Sequence, residues 1–215
     1  MKITILCSDP QHPINSYIQR WVEAQVGMHE IDIVQKKSQL RGGDILFLIS
    51  CSEIINASDR AQYDACLVLH ASDLPKGRGW SPHIWALVQG AEMITLSMLE
   101  AEDKVDSGRI WHKMHISVPK HALWDEVNHL LFTAEVDMIQ YAIQNYALVT
   151  PQDHMETDQA TYYSKRTPQD SRIDPYKSIQ EQFDLIRVCD PNRFPAYFEY
   201  LGQRYILKLE KSNEK

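Results

Sequence analysis

A histidine at the end of an apolar run is the residue of this sequence best placed to do chemistry. His70 closes the run CLVLH, and the loop ASDLPKGRG follows it directly. Gly77 and Gly79 free the backbone of this loop to approach a ligand closely. A second loop, EAEDKVDSG at 100–108, brings several carboxylates. A histidine beside an aspartate can act as acid or base near neutral pH, although on spacing alone a structural histidine is the commoner case.

The elements that must position these loops alternate between strand and helix. Strand-like apolar runs occupy 2–7, 30–35, 44–50, 66–70, 93–100 and 109–118. Helices are predicted over 14–26, 58–64, 82–90 and 121–149. This alternation predicts an α/β protein with a mostly parallel sheet and helices on both faces. Ligands collect at the carboxyl ends of parallel strands, so His70, the Ser8–Asp9 turn and the loop 100–106 are expected at such ends.

The C-terminal part of the chain predicts smaller elements. The polar segment 150–175 is expected to be an ordered loop, because it contains two tyrosines and a dense charged motif. A short helix over 178–189 begins with Ser178 as its cap. The tail predicts a β-hairpin that turns at Leu201 to Gln203. We therefore expect a catalytic domain over 1–195 and a hairpin appendage over 196–215.

Composition excludes several classes of protein. The chain has 215 residues and a net charge of −7, which argues against a broad phosphate-binding surface for nucleic acid. No apolar run approaches the roughly 20 residues of a membrane span, so no membrane partner is expected. The four cysteines are widely separated and predict reduced core residues of a cytoplasmic protein, without a metal site.

Two separated motifs resemble one enzyme family. The string LHASDLPKGRGWSPHIWALVQG, followed by TLSMLEAEDKVDSGRI, resembles the formyltransferases that use 10-formyltetrahydrofolate. The matching positions are His70, Ser72, Leu74-Pro75, Arg78-Gly79 and the run from Asp106 to Gly108. The segment KRTPQDSRIDPYKS, at 165–178, resembles a segment of the amino-sugar and methionyl-tRNA branches. The likeness runs from about residue 40 to 210 and is greatest to enzymes that formylate a UDP-linked 4-amino sugar on the pseudaminic-acid pathway.

The resemblance implies a Rossmann-like catalytic domain with folate lying along the strand ends. A neutral sugar amine then attacks the formyl carbon through a tetrahedral intermediate, which needs an oxyanion donor and a proton acceptor. His70 would donate to the oxyanion or shuttle the proton. Asp106 would orient His70 and take the proton of the amine. No metal is required.

The resemblance also implies two sets of binding residues. For the folate cosubstrate, 10-formyltetrahydrofolate, the positions are Glu53, Ile54, Ile55, Trp80, Glu102, Asp103, Lys104 and Val105. For the nucleotide sugar they are Asp9, Asn15, Ser72, Arg78, Tyr163, Lys165, Arg166 and Thr167. Core packing of the two isoleucines and a solvated surface for the charged residues are the simpler interpretations.

One position departs from the family pattern. The asparagine expected two residues before the histidine is Val68. Either the activity is lost, or another donor such as Ser72, Ser97 or the backbone of the 70–80 loop substitutes, or His70 acts alone. Loss of one such donor costs on the order of a hundredfold in rate. Catalysis remains the favoured interpretation, because both His70 and Asp106 are present.

Other functions stay open from the sequence. Formylation of methionyl-tRNA is disfavoured because the sequence ends soon after the hairpin and the net charge is negative. Formylation of glycinamide ribonucleotide is disfavoured because that branch lacks the KRTPQDSRID segment. Val68 motivates a third alternative, a folate or nucleotide-sugar binding module without turnover. The sugar, the choice of UDP or dTDP, and a monomer or homodimer remain undecided.

Overall fold

A computed structural model describes residues 1–154 and 159–212 of the chain. Its strands are β1 (Lys2–Leu6), β2 (Glu30–Val34), β3 (Gly43–Leu48), β4 (Tyr63–His70), β5 (Arg78–Gly79), β6 (Met93–Glu100), β7 (Ile110–Ser117), β8 (Tyr162–Tyr163), β9 (Ala196–Tyr200) and β10 (Gln203–Leu207). Its α-helices are α1 (Asn15–Ala24), α2 (Ala57–Arg60), α3 (Pro82–Val88), α4 (Trp124–Gln144) and α5 (Ile179–Ile186). Residues 155–158, part of the segment predicted to be an ordered loop, lie outside the described residues.

The central sheet has six strands in the order β2-β1-β3-β4-β6-β7. Strands β2, β1, β3 and β4 run parallel, and β6 is antiparallel to both of its neighbours. The apolar runs of β3 and β4 follow from their central place, where both faces of a strand are covered. The Rossmann-like α/β fold with a mostly parallel sheet is therefore confirmed.

Strand β6 runs against the direction that strand–helix alternation predicts. Between β4 and β6 the chain has a loop and a helix of only seven residues, which return it to the edge where β4 ends. As a result His70 pairs with Ser97, and Leu67 pairs with Glu100. The loop 100–106 therefore does not follow the carboxyl end of a parallel strand, and that expectation is wrong.

Helices cover the two faces of the sheet unevenly. The main core joins one face to α1, α3 and α4; it includes Ile5, Phe47, Leu69 and Met98 from the sheet and Ile18, Leu87, Leu131 and Met138 from the helices. On the other face a smaller cluster, including Leu6, Leu48 and Cys66, lies under α2 and the loops after β3 and β6. This second face is less covered by helices than the first.

Two helices end at least four residues before their predicted C-terminal boundaries. Helix α2 ends at Arg60 rather than continuing to residue 64. Tyr63 instead begins β4, where its buried hydroxyl donates to Oγ1 of Thr4 at 3.0 Å. Helix α4 ends before the predicted 149. No helix in the described ranges is long and apolar enough to cross a membrane.

The C-terminal elements form around a separate small core. Ser178 accepts from the backbone N–H of Glu181 and so caps α5, as predicted. Strands β9 and β10 pair antiparallel as the predicted hairpin. The small core comprises Ile173, Ile186, Cys189 and Ala196. A domain boundary at residue 195 stays a prediction, and the last three residues of the chain are not among those described.

Candidate active site

His70 and Asp106 form a facing pair. Nδ1 of His70 lies 3.5 Å from Oδ1 of Asp106, and Nε2 lies 2.9 Å from the carbonyl oxygen of Gly77. Both residues are buried, each with 8% of its surface exposed. The two ring nitrogens thus face two acceptors, whereas a neutral imidazole donates from only one nitrogen. The second nitrogen is placed to accept or release a proton beside the carboxylate.

The loop after His70 is fixed by a strand from far along the chain. The backbone N–H of Gly77 donates to Oγ1 of Thr161 at 2.8 Å, and β5 pairs with β8 in parallel. Gly79 has a φ of +95°, and a Cβ atom there would lie 2.4 Å from the carbonyl oxygen of Tyr163. Gly79 is therefore required by the close approach of two protein backbones, rather than by approach to a ligand.

Asp106 is held in place by the His70 loop. Its Oδ2 accepts from the backbone N–H of Gly79 at 3.0 Å. Asp106 itself has a φ of +55°, a conformation that costs energy in a non-glycine residue and recurs at functional sites. A Cβ atom on Gly108 would lie 1.9 Å from the carbonyl oxygen of Glu100. The Asp-x-Gly spacing thus presents the carboxylate while the glycine lets the loop close against β6.

Partly buried apolar side chains lie on the same face of β4 as His70 and around it, and we term the surface of Val68, Cys51 and Ala101 the apolar slot. Val68 is two residues before His70 and so shares its face of β4. Although it sits on a central strand, Val68 is only partly buried, and it packs with Cys51 and Ala101 at the edge of the smaller cluster. An apolar surface of this kind can pack against a flat ring.

The loops after β3 and β6 contain the predicted folate residues other than Trp80. Ile54 is 74% exposed and Val105 is 62% exposed, so both present aliphatic surface to solvent. Ile55 instead packs into the smaller cluster. Glu102 and Lys104 are exposed, with no role visible before a ligand binds.

Two other predicted folate residues hold the loops together. The Glu53 carboxylate accepts from the backbone N–H of Lys37. Asp103 forms an ion pair with Arg60 at 2.7 Å. Both contacts fix the loops to neighbouring elements.

Several predicted substrate residues have packing roles. Tyr163 stacks on Trp85 with ring centroids 6.0 Å apart. The guanidinium of Arg166 lies 5.2 Å from the centroid of the Trp85 ring. Arg166 also donates a hydrogen bond to the carbonyl oxygen of Asp170 at 2.9 Å. Thr167 donates its backbone N–H to the Asp170 carboxylate at 2.7 Å. These residues stabilise the segment after β8.

The loop after β1 holds two more predicted substrate residues. Asp9 forms an ion pair with Arg193 at 2.7 Å. Nδ2 of Asn15 donates to the backbone carbonyl of Asp9 at 2.9 Å. Asn15 therefore shapes the loop, while Asp9 ties it to the segment before the hairpin.

Four residues at the β5–β8 pairing form what we term the aromatic–cation lip: Arg78, Trp80, Tyr162 and Lys165. Trp80 is 46% exposed, and the Lys165 ammonium lies 4.6 Å from its ring centroid. Tyr162 is 62% exposed and lies over Arg78. Tyr162 was not among the predicted residues. Ser72 is buried nearby, and its hydroxyl has no partner among the described residues.

Two histidines near the pair were missed from the sequence. Burial is the main cause that lowers the pKa of His83 to about 4, and the neighbouring Arg166 acts in the same direction. Burial, with Arg193 nearby, also lowers the pKa of His12 to about 4. Both imidazoles are therefore neutral at physiological pH. His83 begins a predicted helix and His12 sits in a turn, so neither carries a sequence signal for this placement.

The described surface also has grooves away from the His70 loop. Two open grooves, one beside β2 and one beside the start of α4, contain no residue of the His70 loop. Within the described ranges, no three His, Cys, Asp or Glu side chains are grouped as metal ligands.

The chain's sequence matches the formyl transferase family over residues 1–143, and it belongs to that family. It is therefore a formyl-transferring enzyme. Enzymes of the family use 10-formyltetrahydrofolate, which is the formyl donor here.

Solved structures share this fold. A methionyl-tRNA formyltransferase from Clostridium thermocellum is 22% identical, with a TM-score of 0.83 over 100% of this chain and 95% of its own. A sugar N-formyltransferase from a Shewanella species is 14% identical, with a TM-score of 0.73 over 100% and 99%. HypX from Aquifex aeolicus in complex with tetrahydrofolic acid is 18% identical, with a TM-score of 0.78 over 95% of this chain and 36% of HypX.

Proposed function

We propose that this enzyme transfers the formyl group of 10-formyltetrahydrofolate to the amine of a nucleotide-linked amino sugar. The acceptor is a UDP-linked 4-amino-4,6-dideoxy sugar of the pseudaminic-acid type, and the product enters surface-glycan biosynthesis. The supporting observation is that the His70–Asp106 pair is joined to the apolar slot on one side and, through Gly79, to the aromatic–cation lip on the other.

His70 and Asp106 divide the proton transfers between them. The amine nitrogen attacks the formyl carbon, the bond from that carbon to the folate nitrogen breaks, and the amine loses one proton. Asp106 takes this proton, since its carboxylate is already oriented by Gly79. Asp106 passes this proton to Nδ1 of His70, which lies 3.5 Å from Oδ1, and the imidazole delivers a proton to the departing folate nitrogen. Val68 has no polar atom to donate to the formyl oxygen, so that oxygen takes its hydrogen bond from another group of the site.

The folate lies in the slot over Val68, between Ile54 and Val105. Those aliphatic side chains gain burial when a ring covers them, which is worth roughly 25 cal/mol for each Å² removed from water. The charged residues of the same loops remain at the solvent edge. The cosubstrate therefore reaches the catalytic pair from the less covered face of the sheet.

The aromatic–cation lip receives the acceptor. Exposed aromatic faces suit a nucleobase or sugar ring, and cations suit a diphosphate. Lys165 is exposed and free to meet a ligand, whereas Arg166 is engaged in packing. Four free cysteines are also compatible with the reducing conditions of the cytoplasm, where we place the enzyme.

Methionyl-tRNA is the second candidate acceptor. The structural match to a methionyl-tRNA formyltransferase spans both chains, but at 22% identity it reports the fold alone. The net charge of −7 favours a small acceptor over tRNA, because contacts to many phosphates dominate nucleic-acid affinity.

A panel of acceptors tests the proposal. The full chain is mixed with 10-formyltetrahydrofolate and, separately, a UDP-linked 4-amino sugar, its dTDP analogue, methionyl-tRNA and glycinamide ribonucleotide. We expect a formamide on a nucleotide sugar, detected by mass spectrometry, and folate consumption only when that amine is present. Turnover with methionyl-tRNA alone, or binding of folate without turnover on any amine, would overturn the assignment.

A further inference from the structure

Arg78 is a buried cation whose charge is poorly compensated. Only 7% of the residue is exposed, and its Nε atom is buried without a hydrogen-bond partner among the described residues. Among the described residues, the one hydrogen bond of its guanidinium joins Nη1 to the uncharged hydroxyl of Tyr162 at 3.4 Å, which is a long contact. No carboxylate within the described ranges forms an ion pair with it.

Burial of such a group is costly. A guanidinium keeps its charge at physiological pH and offers five N–H donors. Removing an ionised group from water without a partner costs several kcal/mol, so buried cations are normally paired. Asp106 does not fill this role, because its oxygens face Gly79 and His70. The protein therefore carries a cation that an anionic ligand would satisfy.

The location of Arg78 connects this cation to the catalytic pair. Gly77, the preceding residue, provides the carbonyl that faces His70. Gly79, the following residue, provides the N–H that holds Asp106. On its outer side Arg78 is covered by Tyr162, whose ring centroid lies 5.9 Å from the guanidinium carbon. The backbone of residues 77–79 therefore connects an anion bound at Arg78 to both His70 and Asp106.

We propose that Arg78 binds a phosphoryl group of the acceptor, with Tyr162 as its cover. The inference deepens the proposed function and depends on it, since it takes the acceptor to be a nucleoside diphosphate derivative. Guanidinium and phosphate match in geometry and form paired charge-assisted hydrogen bonds. Lys165, one strand away on the same lip, adds a second cation at the solvent edge.

Binding of UDP and of uridine separates the phosphoryl contact from the rest of the nucleotide. Dissociation constants are measured by calorimetry for the wild-type chain, Arg78→Met, Arg78→Lys and Tyr162→Phe. We expect Arg78→Met to weaken UDP binding about tenfold to a hundredfold, while uridine binding changes less than about twofold. Arg78→Lys should fall between wild type and Arg78→Met, because it keeps the charge but loses the paired donors.

Stability gives a second readout that a structural arginine would not produce. Arg78→Met removes an uncompensated buried charge, so its denaturant midpoint should equal or exceed that of wild type. Arg204→Met is the matched control: Arg204 also lies over a tyrosine, 4.3 Å from the Tyr197 ring, but in the hairpin. We expect this control to leave UDP affinity unchanged.

The outcomes distinguish the two proposals. If wild type binds UDP but Arg78→Met binds it equally well, the role of Arg78 is overturned and the proposed function stands. A lower midpoint for Arg78→Met with unchanged UDP affinity would show a structural cation and would also overturn the role. If wild type binds neither UDP nor dTDP, both proposals fall together.

Discussion

The backbone N–H of Gly79 donates to Oδ2 of Asp106 at 3.0 Å, so the loop that begins at His70 also holds the carboxylate that faces His70. The geometry of the pair therefore depends on the backbone of a glycine as well as on the two side chains. It also depends on β8, because β5 pairs with that strand. Each of these contacts can be broken separately.

Substitution of Gly79 by alanine should lower both stability and activity. The new Cβ atom would meet the carbonyl oxygen of Tyr163 at 2.4 Å, at a φ of +95°. We expect a loss of about 2 to 4 kcal/mol in the free energy of unfolding, measured with denaturant. Gly27→Ala is the control, since Gly27 has a φ of +83° with no atom within 4 Å of the added group. Its cost should be about 1 kcal/mol, and equal costs for both variants would refute the packing role.

Substitutions at Ile54 and Val105 should weaken folate binding without affecting the acceptor. Ile54→Ser and Val105→Ser each remove exposed aliphatic surface from the loops after β3 and β6. We expect each to raise the dissociation constant of tetrahydrofolate about threefold to tenfold, with the KM of the acceptor unchanged. Leu148→Ser, at a leucine that is 77% exposed, is the control. Unchanged folate affinity in both loop variants would place the pterin elsewhere.

Acid should destabilise the fold through two histidines. Burial lowers the pKa of both His12 and His83 from 6.5 to about 4. The unfolded chain then takes up protons at higher pH than the folded chain. The contribution of the two histidines to the free energy of unfolding is therefore present above pH 6.5 and is lost as pH falls to about 4. Unfolding midpoints across this range should flatten in His12→Gln and His83→Gln. A wild-type slope retained in both variants would contradict the assignment.

Alkaline conditions should act through Glu135. Burial raises the pKa of this carboxyl group from 4.5 to about 8, and its Oε2 has no partner in the described chain. As pH rises, the folded chain keeps this proton to a higher pH than the unfolded chain does. The contribution of Glu135 to the free energy of unfolding is therefore full below pH 4.5 and is lost as pH rises through 8. We expect Glu135→Gln to be more stable than wild type at pH 9 by up to a few kcal/mol, and nearly equal at pH 5. Equal stability at pH 9 would show that the carboxyl group is already compensated.

Local patterns were enough to predict most of the fold. Continuous apolar runs identified β3 and β4, and Ser178 identified the start of α5. The direction of β6 could not be predicted, because a strand buried on both faces has the same apolar composition in either direction. That direction depends on how far the chain travels between β4 and β6, which is a tertiary property.

The site was predictable only where short motifs carry it. His70 and Asp106 were identified by resemblance, and the structure brings them together. Packing roles for Tyr163, Arg166 and Thr167 were not visible, because their partners are set by tertiary contacts or by a turn. Charge in the sequence does not distinguish a cation stacked in the interior from one that meets substrate.

The most direct test of the catalytic pair is a double-mutant cycle with His70→Asn and Asp106→Asn. Single-turnover formation of the formamide is measured for wild type, both variants and the double variant, with tetrahydrofolate binding as the control for folding. Each single variant should lose at least about a hundredfold in rate, and the double variant should be little worse than the poorer single one, because the two groups act as a unit. Full turnover in either single variant, or losses that multiply in the double variant, would contradict a mechanism in which the two residues act together.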